Sequence, residues 1–113
     1  MGQAGKGQGE VAVSHYGLIG RIRALPGKRG DLAAILADGI GGMPGCLSYV
    51  VAEDLVDPNV LIITEVWTDS AAHKASLQLD SVKAAIAKGR PLIAGFDSQT
   101  ETRVLGGIGL PPS

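Results

Sequence analysis

His73 is the residue best suited to acid–base chemistry, because an unperturbed imidazole titrates near neutrality and the local pattern sets it in the first turns of a helix facing a sheet. A solvated or merely satisfied helix histidine is the competing account. The other histidine, His15, falls at the edge of an N-terminal leader. Asp69, one helical turn before His73, either orients the imidazole or caps the helix. Trp67, the only tryptophan, ends a strand just ahead of that helix, so it and His73 can border one cavity between sheet and helix. Its flat ring suits a planar ligand by stacking, or fills a core or a subunit interface. Phe96, Tyr49 and Tyr16 are the remaining large aromatics, each a core, interface or ligand-contact residue.

The charged residues add a second constellation. Arg21 and Arg23 share one strand face, with Glu53, Glu65, Glu101 and Arg103 expected on the same side of the sheet. Buried charges persist only when paired, so this set reads as an ion-pair network, or else as arginines that hold an anionic substrate. Arg90 follows the last helix, where a cation caps the C-terminus or is simply solvated. The single cysteine, Cys46, excludes an internal disulfide and a CxxC zinc pair, and reads as a small buried hydrophobe.

The elements that must position these groups follow from periodicity. Tyr16 to Leu25 mixes β-branched and large residues and stops at Pro26-Gly27, as a strand closed by a turn does. From Lys28 to Ile40, Leu32, Ile35, Leu36 and Ile40 recur at helical spacing before Gly41-Gly42. Cys46 to Glu53 and Asn59 to Trp67 are β-rich runs joined by an Asp57-Pro58-Asn59 turn, hence a hairpin. Asp69 or Ser70 is placed to cap a short helix carrying His73. Asp80 or Ser81 is placed to cap a second one with Val82, Ala85 and Ile86 inward, ended by Gly89 and Pro91. A last strand runs from about Phe96 to Val104.

The order β, α, β, β, broken α, β predicts an α+β ferredoxin-like sandwich with its helices on one sheet face. Leu61, Ile63 and Trp67 lie on one side of the third strand and Ile62 and Val66 on the other, so both faces ask for cover. The simplest cover for the second is an identical subunit, and a homodimer is expected.

A chain of 113 residues, 45% hydrophobic, supports one such domain. It is expected over 15–105, between a flexible leader (1–14) rich in glycine and an irregular tail (106–113). A net charge of -1 without a basic run gives no footprint for nucleic acid. The longest apolar run, Leu32 to Ala37, is far short of the roughly 20 residues a membrane helix needs. With no signal-peptide pattern at the start, a cytoplasmic location is expected.

Two consecutive stretches carry a family resemblance. Glu65-Val-Trp67-Thr-Asp69-Ser-Ala-Ala-His73-Lys-Ala-Ser76-Leu-Gln-Leu79 and Val82-Lys-Ala-Ala-Ile-Ala-Lys88-Gly-Arg90-Pro91-Leu92-Ile93-Ala-Gly-Phe96 together resemble the signature of the antibiotic biosynthesis monooxygenase domain, in a bacterial subgroup often labelled quinol monooxygenase. The resemblance spans about Tyr16 to Val104. It implies a dimeric α+β barrel and oxidation of a quinol or polyphenol by molecular oxygen, in many members with no flavin, haem or metal. A deprotonated phenol is electron-rich enough to reduce oxygen itself, so the protein need supply only a dry pocket, a base and donors for the anion.

On that reading His73 is the acid/base, Trp67 shapes the pocket, and Phe96, Tyr49, Arg21 and Arg90 are candidate substrate contacts, with no cofactor-binding or metal-binding residue. No GxGxxG lies between strand and helix, and no P-loop is present. Haem-degrading relatives use a first-strand asparagine and a tryptophan and histidine on the second helical segment. Here the only asparagine is Asn59 in a turn, and Ala75 and Ser76 stand where that tryptophan would be expected, so haem degradation is disfavoured. The alternative to an enzyme is a non-catalytic dimeric module that binds a small aromatic or steadies a pathway partner, since one fold hosts many functions.

Overall fold

The computed structural model describes residues 14–39 and 41–110. Its elements run β1 (His15–Ala24), α1 (Arg29–Asp38), β2 (Cys46–Glu53), β3 (Val60–Trp67), α2 (Ser70–Ser76), α3 (Asp80–Gly89), a single 3-10 turn (Arg90–Leu92) and β4 (Ile93–Val104). The four strands form one antiparallel sheet in the order β2-β3-β1-β4, the ferredoxin-like arrangement expected from the sequence. Ile40, residues 1–13 of the expected leader and 111–113 of the tail lie outside the described residues.

Local chemistry explains the joints. After β1, Leu25-Pro26-Gly27-Lys28 closes a turn with the Lys28 N–H donating to the Leu25 carbonyl at 2.9 Å, and Gly27 takes the positive φ of 80° that such a turn demands. In the β2–β3 hairpin, Asp57 accepts the Asn59 N–H at 3.0 Å and Asp54 accepts that of Val56 at 3.1 Å. Arg29 reaches from α1 to donate to the carbonyls of Asp54 and Asp57, at 3.0 and 2.9 Å, tying the helix to the hairpin.

Register assigns the faces. Leu18 stands opposite Glu65, Tyr16 opposite Trp67 and Ile22 opposite Leu61, and Tyr49 stands opposite Glu65 from β2. This face carries the core, where Ala24, Leu61 and Ile63 pack with Leu32 of α1, each almost fully buried. Fully burying each leucine or isoleucine of this set contributes roughly 1.5–3 kcal/mol.

Three expectations change. Arg21 stands opposite Ile62, on the sheet face away from Glu65, Glu53 and Glu101, so the predicted network does not form. Strand parity alone could not reveal this, because the face a residue shares with another strand depends on register. The arginines instead bind aspartates at one end of the sheet, Arg21 to Asp54 at 2.8 Å and Arg23 to Asp57 and Asp97 at 2.9 and 2.7 Å. Secondly, α3 starts after Leu79 with no side-chain cap, and Asp80 is its first residue, while Asp69 does cap α2. Finally, β4 begins at Ile93, ahead of Phe96, because the 3-10 turn feeds directly into a pairing of Ile93 with Ala24. Two irregularities in the β1–β4 register, around Asp97 and Ala94, absorb the extra residues.

Candidate active site

The site forms between the end of β3 and side chains of α2 and α3. Glu65 and Trp67 are two residues apart on that strand and therefore on one face. The Trp67 indole N–H donates to Glu65 Oε1 at 2.9 Å, which fixes the carboxylate against the ring. Trp67 itself is 1% exposed.

His73 arrives from α2. Asp69 starts that helix by accepting the Ala72 N–H at 2.8 Å, so its side chain is used in capping and does not orient the imidazole. The imidazole packs edge-on to Trp67, with ring centroids 5.4 Å apart at 70°, and lies 6.0 Å from the Tyr16 ring. Its Nε2 faces Glu65 Oε1 at 4.0 Å. Glu65, not Asp69, is the carboxylate beside His73.

Two tyrosines complete the surroundings. Burial, reinforced by the Glu65 charge, pushes the Tyr49 hydroxyl well above the usual phenol range, so it stays protonated and able to donate. Tyr16 donates to Glu101 Oε2 at 2.6 Å, and that hydrogen bond, with burial, pushes it up to about 12. Burial likewise raises the Cys46 thiol, which keeps it from acting as a ready nucleophile.

A cavity of about 120 Å³ opens between the sheet and the helices, walled by Met43, Tyr49, Glu65, Trp67, His73 and Ile86. A second hollow of about 160 Å³ continues over the same sheet face toward β4, reaching Leu18, Ile22, Phe96 and Gln99. The two share Tyr49 and Glu65. A wider depression, about 440 Å³, lies around His15, Asp69 and Arg103 at the sheet end; it is open to solvent and includes neither His73 nor Trp67.

The structure thus brings together His73, Trp67 and Tyr49, and sets Phe96, 71% exposed, at the far end of the second hollow. Arg21 lies on the opposite sheet face, bonded to Asp54, and Arg90 is exposed and lines neither hollow. Glu65, expected from the sequence as an ion-pair member and as part of the Glu65-Val-Trp67 stretch, is a site residue that no expectation placed beside His73. The signal available was its i, i+2 spacing to Trp67, which puts both on one strand face. Among the described residues, no group of three or more His, Cys, Asp and Glu side chains is placed to hold a metal ion.

The profile of one protein family matches residues 15–88, and its description is antibiotic biosynthesis monooxygenase. The chain belongs to this family. The matched stretch contains β1 to α3 and with them Tyr49, Glu65, Trp67 and His73. A structure from Chloroflexus aurantiacus J-10-fl, provisionally named an antibiotic biosynthesis monooxygenase, is 58% identical and superposes with a TM-score of 0.84, covering 86% of this chain and 99% of its own. A protein from Caulobacter crescentus CB15 carrying the same provisional name is 21% identical, with a TM-score of 0.69 over 83% of this chain and 91% of its own. A Nitrosomonas europaea protein of unknown function is 20% identical, with a TM-score of 0.71 over 90% and 99%. At such identities the last two speak for the fold alone. No curated protein matches the chain significantly. No helix among the described residues of this antibiotic biosynthesis monooxygenase family member is long and apolar enough to cross a membrane.

Proposed function

We propose that this chain is a cofactor-independent monooxygenase that oxidises a quinol or polyphenol with molecular oxygen. The observation that carries the reading is the convergence of His73, Glu65 and the Trp67 and Tyr49 rings on one mostly apolar cavity, in a chain of the monooxygenase family. An apolar wall of Leu36, Met43, Val82 and Ile86 keeps water from a bound ring. His73 takes the phenolic proton, and the resulting phenolate is the electron donor to oxygen. A quinol and one dioxygen then give the hydroxylated quinone and one water, with all four electrons drawn from the substrate. Tyr49, held protonated, is the donor for the developing anion.

The sheet face away from the helices supports a second part of the proposal, pairing of two copies. Ile19 and Val50 are 40% and 52% exposed there, beside half-buried Ile62 and Val66. A subunit laid across this face covers the apolar centre of the sheet.

Oxygen uptake across a panel of hydroquinones, in chelator and without added flavin, tests the function. Protein-dependent uptake with at least one of them is expected. A flat trace across the panel removes the enzyme reading and leaves a binding module.

A further inference from the structure

Glu65 is an unusual wall residue. Two hollows meet at it, the walls of the first are mostly apolar, and among the described residues it is the only carboxylate that lines either. One of its oxygens, Oε1, already accepts from Trp67 and faces His73. Among the described residues no hydrogen bond reaches Oε2. A carboxylate accepts only, so the atom it lacks is a donor, and water or a ligand O–H must supply it. With 16% of its side chain exposed, Glu65 gains little from bulk solvent, and a ring that fills either hollow displaces the water.

We propose that Glu65 is the residue that anchors the substrate, its Oε2 accepting an aromatic hydroxyl where the two hollows join. Trp67 is then a positioning residue, since its indole N–H holds the carboxylate and leaves the second oxygen for the ligand. Tyr49, which also lines both hollows, stands across from Glu65 on β2, and the hydroxyl bound by Glu65 is not the one whose proton His73 takes. The arrangement selects ligands that carry O–H over ligands of the same shape that carry only ether oxygen, because the ether leaves the carboxylate unpaired. The second hollow gives the rest of a larger substrate a path toward Phe96.

This inference rests on the proposed function for its substrate class, and binding without oxygen separates the two. Calorimetry under anaerobic conditions compares hydroquinone with its dimethyl ether on wild type and on Glu65→Gln, which keeps the shape and a carbonyl for Trp67. Wild type is expected to bind hydroquinone about tenfold or more tighter than the ether. Glu65→Gln should narrow the ratio below about threefold by weakening hydroquinone alone. If Glu65→Gln does not fold, Glu65→Asp, which withdraws the same charge by one methylene, takes its place with the same expectation. An unchanged ratio in the variant, or equal binding of both compounds by wild type, overturns the anchor and leaves the monooxygenase reading intact. Hydroxyl-selective binding without oxygen uptake keeps the anchor and overturns the reaction. Absence of binding by either compound overturns the anchor, while the reaction stands or falls with the uptake panel.

Discussion

The Glu65–Trp67–His73 contact is where single side chains decide the chemistry. Replacing His73 with Ala removes the proposed base, and turnover should fall roughly 10²- to 10⁴-fold. The melting temperature should change little, since the imidazole is 20% exposed at the cavity edge; steady-state rates and thermal melts of the same preparation check both. Trp67→Phe should act differently, because it strips a buried N–H from a charged acceptor and shrinks a fully packed ring. A loss of about 2–3 kcal/mol in denaturant unfolding is expected. The aspartates at the other end of the sheet give a pH signature. Arg21 holds Asp54 below the ordinary carboxyl value of 3.8, and the Asn59 N–H with Arg23 does the same for Asp57. The stability they add is complete above that value and is lost as pH falls through their lowered pKa values. Melting temperatures measured from about pH 5 downward should therefore fall less steeply in an Asp54→Asn, Asp57→Asn variant. The spacing of Trp67 and His73 was legible in the sequence. The pairing of His73 with Glu65 was not, since it depends on how far α2 is turned over the sheet.

Position at the level of elements is set by a few backbone contacts. Gly45, just before β2, has φ of 81°, and a Cβ there would stand 2.6 Å from the Ala72 Cβ and 3.0 Å from Thr68 Oγ1. Its carbonyl also accepts the Thr68 N–H at 2.9 Å. Gly45 is therefore the seat of α2, and Gly45→Ala combines a left-handed backbone with a push against the helix that carries His73. A cost of about 1–3 kcal/mol is expected, with lower turnover from a displaced imidazole; unfolding curves and rates measure both. Gly41→Ala, where a Cβ meets nothing within 4 Å, is the matching control and should leave rates unchanged. The strands and helices could be read from periodicity, Pro26-Gly27 and the Asp69 cap, because those signals are local. The start of β4 could not, since Ile93 is recruited by Ala24 across the sheet. Nor could the aspartate partners of Arg21 and Arg23, which a hairpin loop and a register shift bring to them.

Across the whole molecule, one sheet face is covered by helices and encloses the site, while the other presents Ile19 and Val50 to solvent in a single copy. The proposed pairing makes a particle of about twice 11.5 kDa in sedimentation at micromolar concentration. Val50→Lys should shift it toward the single-copy mass by placing a charge in the apolar contact. A single-copy mass for the unaltered chain would contradict the pairing without touching the cavity, which is built from one chain alone. The reaction itself is tested most directly by supplying isotopically heavy dioxygen with the quinol that supports the fastest uptake, and weighing the product. One heavy oxygen atom in each quinone, with the other in water, is the expected result; uptake that yields unlabelled quinone and hydrogen peroxide would contradict monooxygenation.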